Sequence, residues 1–210
     1  WESDCGCVAV YDMGDECDDC QGIPNGNAII DNCGICVEGN TGLDACPGYD
    51  YNLSLHVGSN LISFYAFPED RSLEYMLSSN ENDYLYAILG LMNSSINMGD
   101  NIWAGSLSSI EESAGYWFKT ENTTNLLIEE VWDISQNIIY NLSQGTNLVS
   151  FPSSLTYPLE SVITSDTENY FDVIIGESLI AIRINGEWEG SLDELFGGKG
   201  YYFILNSPLD

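Results

Sequence analysis

"YNLSLHVGSNLISF" (51–64) returns later in the chain as "YNLSQGTNLVSF" (140–151). Four further stretches return in the same order. "SLEYMLSS" (72–79) becomes "PLESVITS" (158–165), "YLYAILG" (84–90) becomes "YFDVIIG" (170–176), "WAGSL" (103–107) becomes "WEGSL" (188–192), and "AGYWF" (114–118) becomes "KGYYF" (199–203). The offset hardly drifts: Gly58 to Gly145 is 87, Tyr84 to Tyr170 is 86, and Trp103 to Trp188 is 85. Chance does not give five ordered matches, so one unit of about 86 residues is duplicated. That period is too long for a solenoid repeat. The expectation is two homologous tandem domains, 49–135 and 136–210.

Each unit reads as mostly strand. "NLISF" and "NLVSF" are short apolar runs beside Gly, the pattern of buried strands. "GYWFK" and "GYYFI" are aromatic strands. "LIAIRING" (179–186) alternates and then meets Asn-Gly, which predicts a hairpin. One short helix is expected per unit. Ser72 caps the first, whose Leu73, Met76 and Leu77 share a face. Leu159, Val162 and Ile163 repeat that face, with Pro158 in the first turn. The fold class is therefore mostly β, a β-rich α+β protein.

All seven cysteines lie in the first 46 residues: Cys5, Cys7, Cys17, Cys20, Cys33, Cys36 and Cys46. They define a third region, 1–48, joined through "CPGYD" (46–50). It has its own echo, since Cys5, Cys7 and Cys17 match Cys33, Cys36 and Cys46 in spacing. "CDDC" (17–20) and "CGIC" (33–36) are C-x-x-C pairs, so zinc and redox chemistry compete with disulfides. The first 50 residues hold 11 acids and no base. A thiolate-rich zinc site usually has nearby cations, and surrounding carboxylates raise thiol pKa values. Disulfides are the preferred reading, with two bridges among Cys20, Cys33, Cys36 and Cys46. They imply an oxidising, extracellular or cell-surface location.

The charge balance excludes several classes of partner. Four Lys and Arg stand against 33 Asp and Glu, a net charge of −29. Nucleic acid needs cations to displace its counterions, and anionic membranes are disfavoured likewise. Five Trp, 13 Tyr and seven Phe argue against a disordered acidic chain. No apolar run approaches the ~20 residues of a membrane-spanning helix. The chain opens on Trp1 rather than Met, which reads as a processed or truncated start.

Calcium is the expected cofactor. Asp18, Asp19, Asn25, Asn27 and Asp31 supply the mixed oxygen donors that calcium takes, and Gly22 and Gly26 permit tight turns. Asp4, Asp12, Asp15 and Asp44 form a second set. Asn and Asp also favour turns for their own reasons, and no EF-hand loop is present. Asn52, Asn93, Asn122 and Asn141 head N-x-[ST] sequons, a weak signal for glycans. Catalysis has little support. His56 is the single histidine and its counterpart position lacks one. No G-x-S-x-G elbow occurs, and the acid pairs Glu111/Glu112, Glu129/Glu130 and Asp193/Glu194 read as solvated.

Residues 19–46 carry D-C-x-G-x-x-N-G-x-A-x-x-D-x-C-G-x-C, then a loop and another Cys. This resembles Cys/Gly modules of large secreted bacterial proteins, particularly from marine groups, related to thrombospondin type-3 calcium repeats. The duplicated unit resembles domains with a "GxNLISFP…WxGSL…GYW" pattern in secreted and surface proteins of the same groups, often near a sorting domain. The resemblance implies location and fold more than activity.

The expected function is that of a non-enzymatic extracellular structural protein, a self-assembling filament, surface-layer or sheath subunit with a calcium-binding Cys-rich module. The alternative is a carbohydrate-binding or adhesion module of a larger secreted protein, with a hydrolase accessory domain third. Trp103/Trp188 and Trp117/Tyr202 are matched aromatics that would stack on sugars or fill a core. The first unit continues through "NLLIEEVW" (125–132), a closing strand. The second has only "ILNSPLD" after "GYYF". It should present an unpaired edge for strand-mediated self-association, with "CVAVY" (7–11) of a neighbour as donor.

Overall fold

The computed structural model describes residues 2, 3, 6 and 7, 17–78, 84–134 and 138–209. Cys5, Asp4, Asp12, Asp15 and all but the first residue of "CVAVY" lie outside them, and Cys7 is described in its backbone alone. The chain divides into two compact units, Trp1–Gly48 and Tyr49–Asp210. It is mostly β, with two short helices and a disulfide-rich N-terminal region.

In the first unit, β1 (Glu2–Ser3) pairs with β2 (Gly6–Cys7), and β3 (Ala28–Ile30) pairs with β4 (Cys36–Glu38). Such small ladders bury little: among the described residues of this unit only Ala28 and Val37 are buried apolar side chains. Covalent closure supplies the deficit. Cys20 bonds Cys36 and Cys33 bonds Cys46, and Cys17 is disulfide-bonded as well.

The second unit holds both copies of the duplication. The first copy contains β5 (Tyr49–Leu55), β6 (Gly58–Ile62), β7 (Ala66–Phe67), α1 (Leu73–Met76), β8 (Leu85–Leu89), β9 (Ser94–Asn97), β10 (Trp103–Gly105), β11 (Tyr116–Thr120) and β12 (Thr124–Asp133). The second contains β13 (Gly145–Val149), β14 (Tyr157–Pro158), α2 (Leu159–Val162), β15 (Phe171–Ile175), β16 (Ile180–Ile184), β17 (Glu187–Gly190), β18 (Glu194–Leu195) and β19 (Tyr201–Leu205). Their main sheets match strand for strand: β6-β11-β8-β9-β10 in one and β13-β19-β15-β16-β17 in the other. All of these pairs are antiparallel.

The repeated motifs explain the repeated geometry. Gly58 and Gly145 take φ +100 and +92, a left-handed backbone that favours glycine. The following Asn closes the turn. Asn60 Oδ1 accepts from His56 N at 2.9 Å, and Asn147 Oδ1 accepts from Ser143 N at 2.9 Å. In WxGSL, a Cβ on Gly105 would lie 2.1 Å from Ser94 O, and one on Gly190 2.1 Å from Ile180 O. The Leu that ends this motif, Leu107 or Leu192, is buried. The Tyr of GYWF and GYYF accepts a backbone N–H five residues upstream: Tyr116 from Glu111 at 2.9 Å, Tyr201 from Phe196 at 2.7 Å.

α1 forms as the sequence predicts, with Ser72 Oγ accepting from Tyr75 N and Leu73, Met76 and Leu77 buried. α2 differs in one detail. Pro158 is its N-cap rather than a first-turn residue, because its backbone is extended (ψ 138) and pairs with Glu194 in the β14–β18 ladder. The "LIAIRING" hairpin is present, with Asn185 and Gly186 both at positive φ.

Each copy has its own core, yet the two are docked, and most of the docking contacts come in swapped pairs. Ser63 N donates to Gly198 O at 3.1 Å and Ser150 N to Ser113 O at 3.0 Å. Gly200 N donates to Leu61 O and Gly115 N to Leu148 O, both at 3.3 Å. Single bridges join Ile62 to Lys199 and Ala114 to Val149. Aligned by the repeat, each contact is the mirror of its partner, the signature of an isologous interface. Trp117 Nε1 donates to Tyr202 Oη at 2.9 Å between the matched strands β11 and β19.

The copies differ in their second layer. In the first copy β12 pairs with β5 from Thr124↔Leu55 to Val131↔Tyr49, then with β7. Leu126, Ile128 and Val131 of β12 are buried by it. In the second copy Leu142 bridges Leu209, with N–H···O bonds of 2.8 and 2.9 Å. By the repeat this is the counterpart of Leu53↔Leu126, the third rung of the β5–β12 ladder.

Candidate functional site

Two of the expected calcium residues, Asp19 and Asp31, form a repeated loop device. Asp19 Oδ1 accepts from Gln21 N at 2.9 Å and Ile23 N at 3.1 Å, while Oδ2 accepts from Ala28 N at 3.0 Å. Twelve residues on, Asp31 Oδ1 accepts from Cys33 N at 3.0 Å and Ile35 N at 2.9 Å, while Oδ2 accepts from Cys46 N at 2.9 Å. The backbone repeats too: Asp19 N to Ile23 O and Gly22 N to Asp19 O, then Asp31 N to Ile35 O and Gly34 N to Asp31 O. Gly22 and Gly34 have φ +74 and +75. The pattern glycine Gly26 is needed for space, since a Cβ there would fall 1.9 Å from Asp19 Oδ2.

Both carboxyls are held below their ordinary value. For Asp19, burial acts upward but the N–H groups of Ala28, Ile23 and Gln21 outweigh it. For Asp31, the Cys46 and Ile35 N–H groups are the leading cause. Hydrogen bonds to the ionised form have this effect.

This arrangement fits a cation poorly. Six N–H dipoles point their positive ends at the four oxygens that calcium would take. Asn25 and Asn27 are exposed, and Asn25 sits at φ 53 in the turn. Among the described residues, one group of three acidic, Cys or His ligand atoms converges: Asp31, Cys33 and Cys46. Its two sulfurs are spent on each other. The sequons Asn52, Asn93, Asn122 and Asn141 are all exposed.

The docked copies carry an asymmetric polar clasp. Glu177 of the second copy bonds His56 Nε2 of the first through Oε1. Its Oε2 accepts from Leu61 N at 2.9 Å and lies 3.6 Å from Lys199 Nζ. His56 is raised above its ordinary value by the Glu177 bond first and the Val57 carbonyl second. Burial acts to raise Glu177, yet His56, the Leu61 N–H and Lys199 together hold it below its ordinary value. Sequence reasoning missed this site because its partners are 121 residues apart.

The bases are all engaged. Arg71 pairs with Glu112 and lies over Phe67, Arg183 pairs with Glu168, Lys199 lies by Glu177, and Lys119 meets Ser59 and Trp117. The matched aromatics resolve differently from one another. Trp117 and Tyr202 join the two copies, whereas Trp103 and Trp188 pack half-buried on the two cores.

Trp188 also lines an open cavity of about 400 Å³ with Arg183, Glu168, Glu160, Glu187 and Ser165. Arg183 forks onto Glu168, with contacts of 2.8 and 2.7 Å, and its side chain is 10% exposed. No family model, curated protein or solved structure matches the chain. The disulfides fit an oxidising compartment, and among the described residues no helix is long and apolar enough to cross a membrane.

Proposed function

We propose that this chain is a non-catalytic structural module of the cell exterior, which joins a second copy of itself by strand addition at its second β copy. One comparison supports this reading. The first copy completes its second layer with the ten-residue β12, whereas in the second copy the described residues show one rung, at Leu142↔Leu209. Three residues before Leu142, Ile139 is 78% exposed. Residues 140–142 also border an open groove of about 180 Å³ with Leu91, Leu148 and Val149. A sheet edge with free N–H and C=O groups accepts a strand from another chain. Head-to-tail contacts of this kind polymerise when they do not close. The motif residues serve backbone geometry in both copies, which supports a scaffold rather than a catalyst.

The test uses the full chain and a peptide with the sequence of Thr124–Asp133. The peptide should bind, protect the amides of 138–142 from hydrogen exchange, and compete with concentration-dependent association seen by sedimentation. Absence of both peptide binding and self-association would sink the proposal. Protection of 138–142 in a longer, strictly monomeric polypeptide would assign the strand to its own chain instead. A second reading, attachment to carbohydrate, is favoured by one observation, the cavity beside Trp188.

A further inference from the structure

The matched hairpins of the two copies diverge at one place. In the first copy, Trp103 opposes Asn97 across β9 and β10, and a long loop returns Asn101 Oδ1 to accept from Trp103 Nε1 at 2.9 Å. In the second, Trp188 opposes Arg183, and the connection is the tight Asn185–Gly186 turn. That turn brings no acceptor, and Trp188 Nε1 is buried without a partner among the described residues. The exchange of Asn97 for Arg183 places a nine-tenths buried guanidinium beside the ring, 5.5 Å from its centroid.

We infer that the cavity bounded by Arg183, Glu168 and Trp188 is a binding site for a neutral sugar residue. The inference rests on the carbohydrate reading and gives it a location. Arg183 has five N–H donors, and its two contacts to Glu168 leave others for a ligand oxygen. Glu160 and Glu187 stand exposed on the rim as acceptors, and Ser165 is a hydroxyl that does either. A pyranose matches this set: every hydroxyl both donates and accepts, and its C–H groups can rest against the part of Trp188 that lines the cavity. The volume, about 400 Å³, is at the low end for small-molecule sites of roughly 300–1,000 Å³, which suits one or two rings.

Other ligand chemistries fit less well. An anion meets Glu160, Glu168 and Glu187 in a protein of net charge −29. A cation meets the positive charge of the Arg183 guanidinium, 5.5 Å from the Trp188 ring centroid. A metal ion lacks a cage, because these glutamates do not converge with one another.

The test is titration of the full chain with methyl glycosides of glucose, galactose, mannose and N-acetylglucosamine. Chemical-shift changes of the backbone amides of residues 183–188, which every variant keeps, are the readout, with methyl phosphate and methylammonium as charged probes. At least one glycoside should bind at millimolar concentration and neither charged probe should. Glu187→Gln, on the exposed rim, should weaken that glycoside at least tenfold with folding intact, and Trp188→Phe should do the same. If glycosides bind equally to both variants, this site falls while the carbohydrate reading stands. If no glycoside binds, both fall, and binding of methylammonium in their place overturns the assignment of a neutral ligand.

Discussion

Replacing Gly200 with Ala tests the docking of the two copies most directly. A Cβ at Gly200 would lie 2.9 Å from Ile62 O, 3.2 Å from Gly115 Cα and 3.2 Å from Leu61 Cδ1. Two of those three atoms are backbone, which yields only if the copies shift. Gly200 does not occupy the left-handed region, so Ala is conformationally acceptable and narrows the unfolded ensemble, a gain of about 0.4–1 kcal/mol. Overpacking costs about 1–3 kcal/mol. The net expectation is a loss of about 1–2 kcal/mol. For a body of this size each kcal/mol lowers the midpoint by about 2–4 °C. Gly115→Ala should act alike, since its Cβ would meet Val149 O at 2.7 Å and Gly200 Cα at 3.1 Å. The two glycines abut, so a separation forced by one relieves the other. The double variant should lose at least about 0.5 kcal/mol less than the sum. Urea unfolding of the full chain, followed by tryptophan fluorescence, measures all three variants. A Gly200→Ala protein as stable as the parent, or strict additivity of the pair, would refute the isologous packing.

The clasp makes stability depend on pH. His56 has a raised pKa, so its contribution is complete below its ordinary 6.5 and fades as pH rises through the folded value. Glu177 has a lowered pKa, so its contribution is present above its ordinary 4.5 and is lost as pH falls through the folded value. The parent's advantage over His56→Gln should peak between these pH values, at under about 1 kcal/mol because His56 is largely solvated. An advantage that grows above pH 7 contradicts the pairing. Opening Cys33–Cys46 by a double Ser substitution frees a loop of sequence separation 13, which costs about 3 kcal/mol on chain-entropy grounds. Limited proteolysis should then cut before Tyr51 while residues after it persist; equal resistance on both sides counts against the bridge as the main brace. Asp31→Asn should raise cleavage in the same segment whether or not a chelator is added, because the carboxylate holds three backbone N–H groups. Chelator-dependent cleavage of the parent chain would instead support calcium in the module.

Much of the architecture is legible in the chain itself. The duplication, the capped helix at Ser72, the Asn-Gly hairpin and the disulfide-rich segment are all encoded within short windows. Periodicity, turn chemistry and cysteine density act over a few residues, so a linear reading reaches them. Only the tertiary structure shows that the two copies share one compact unit, that Trp117 and Tyr202 join them, and that His56 meets Glu177. It also shows Asp19 and Asp31 as anchors for backbone N–H groups, and sets Arg183 beside Trp188 in an open cavity. These outcomes depend on which lone pairs, N–H groups and ring faces remain after the backbone has satisfied itself. Composition counts the carboxylates, but the direction of a carboxylate oxygen is fixed by the loop that closes around it.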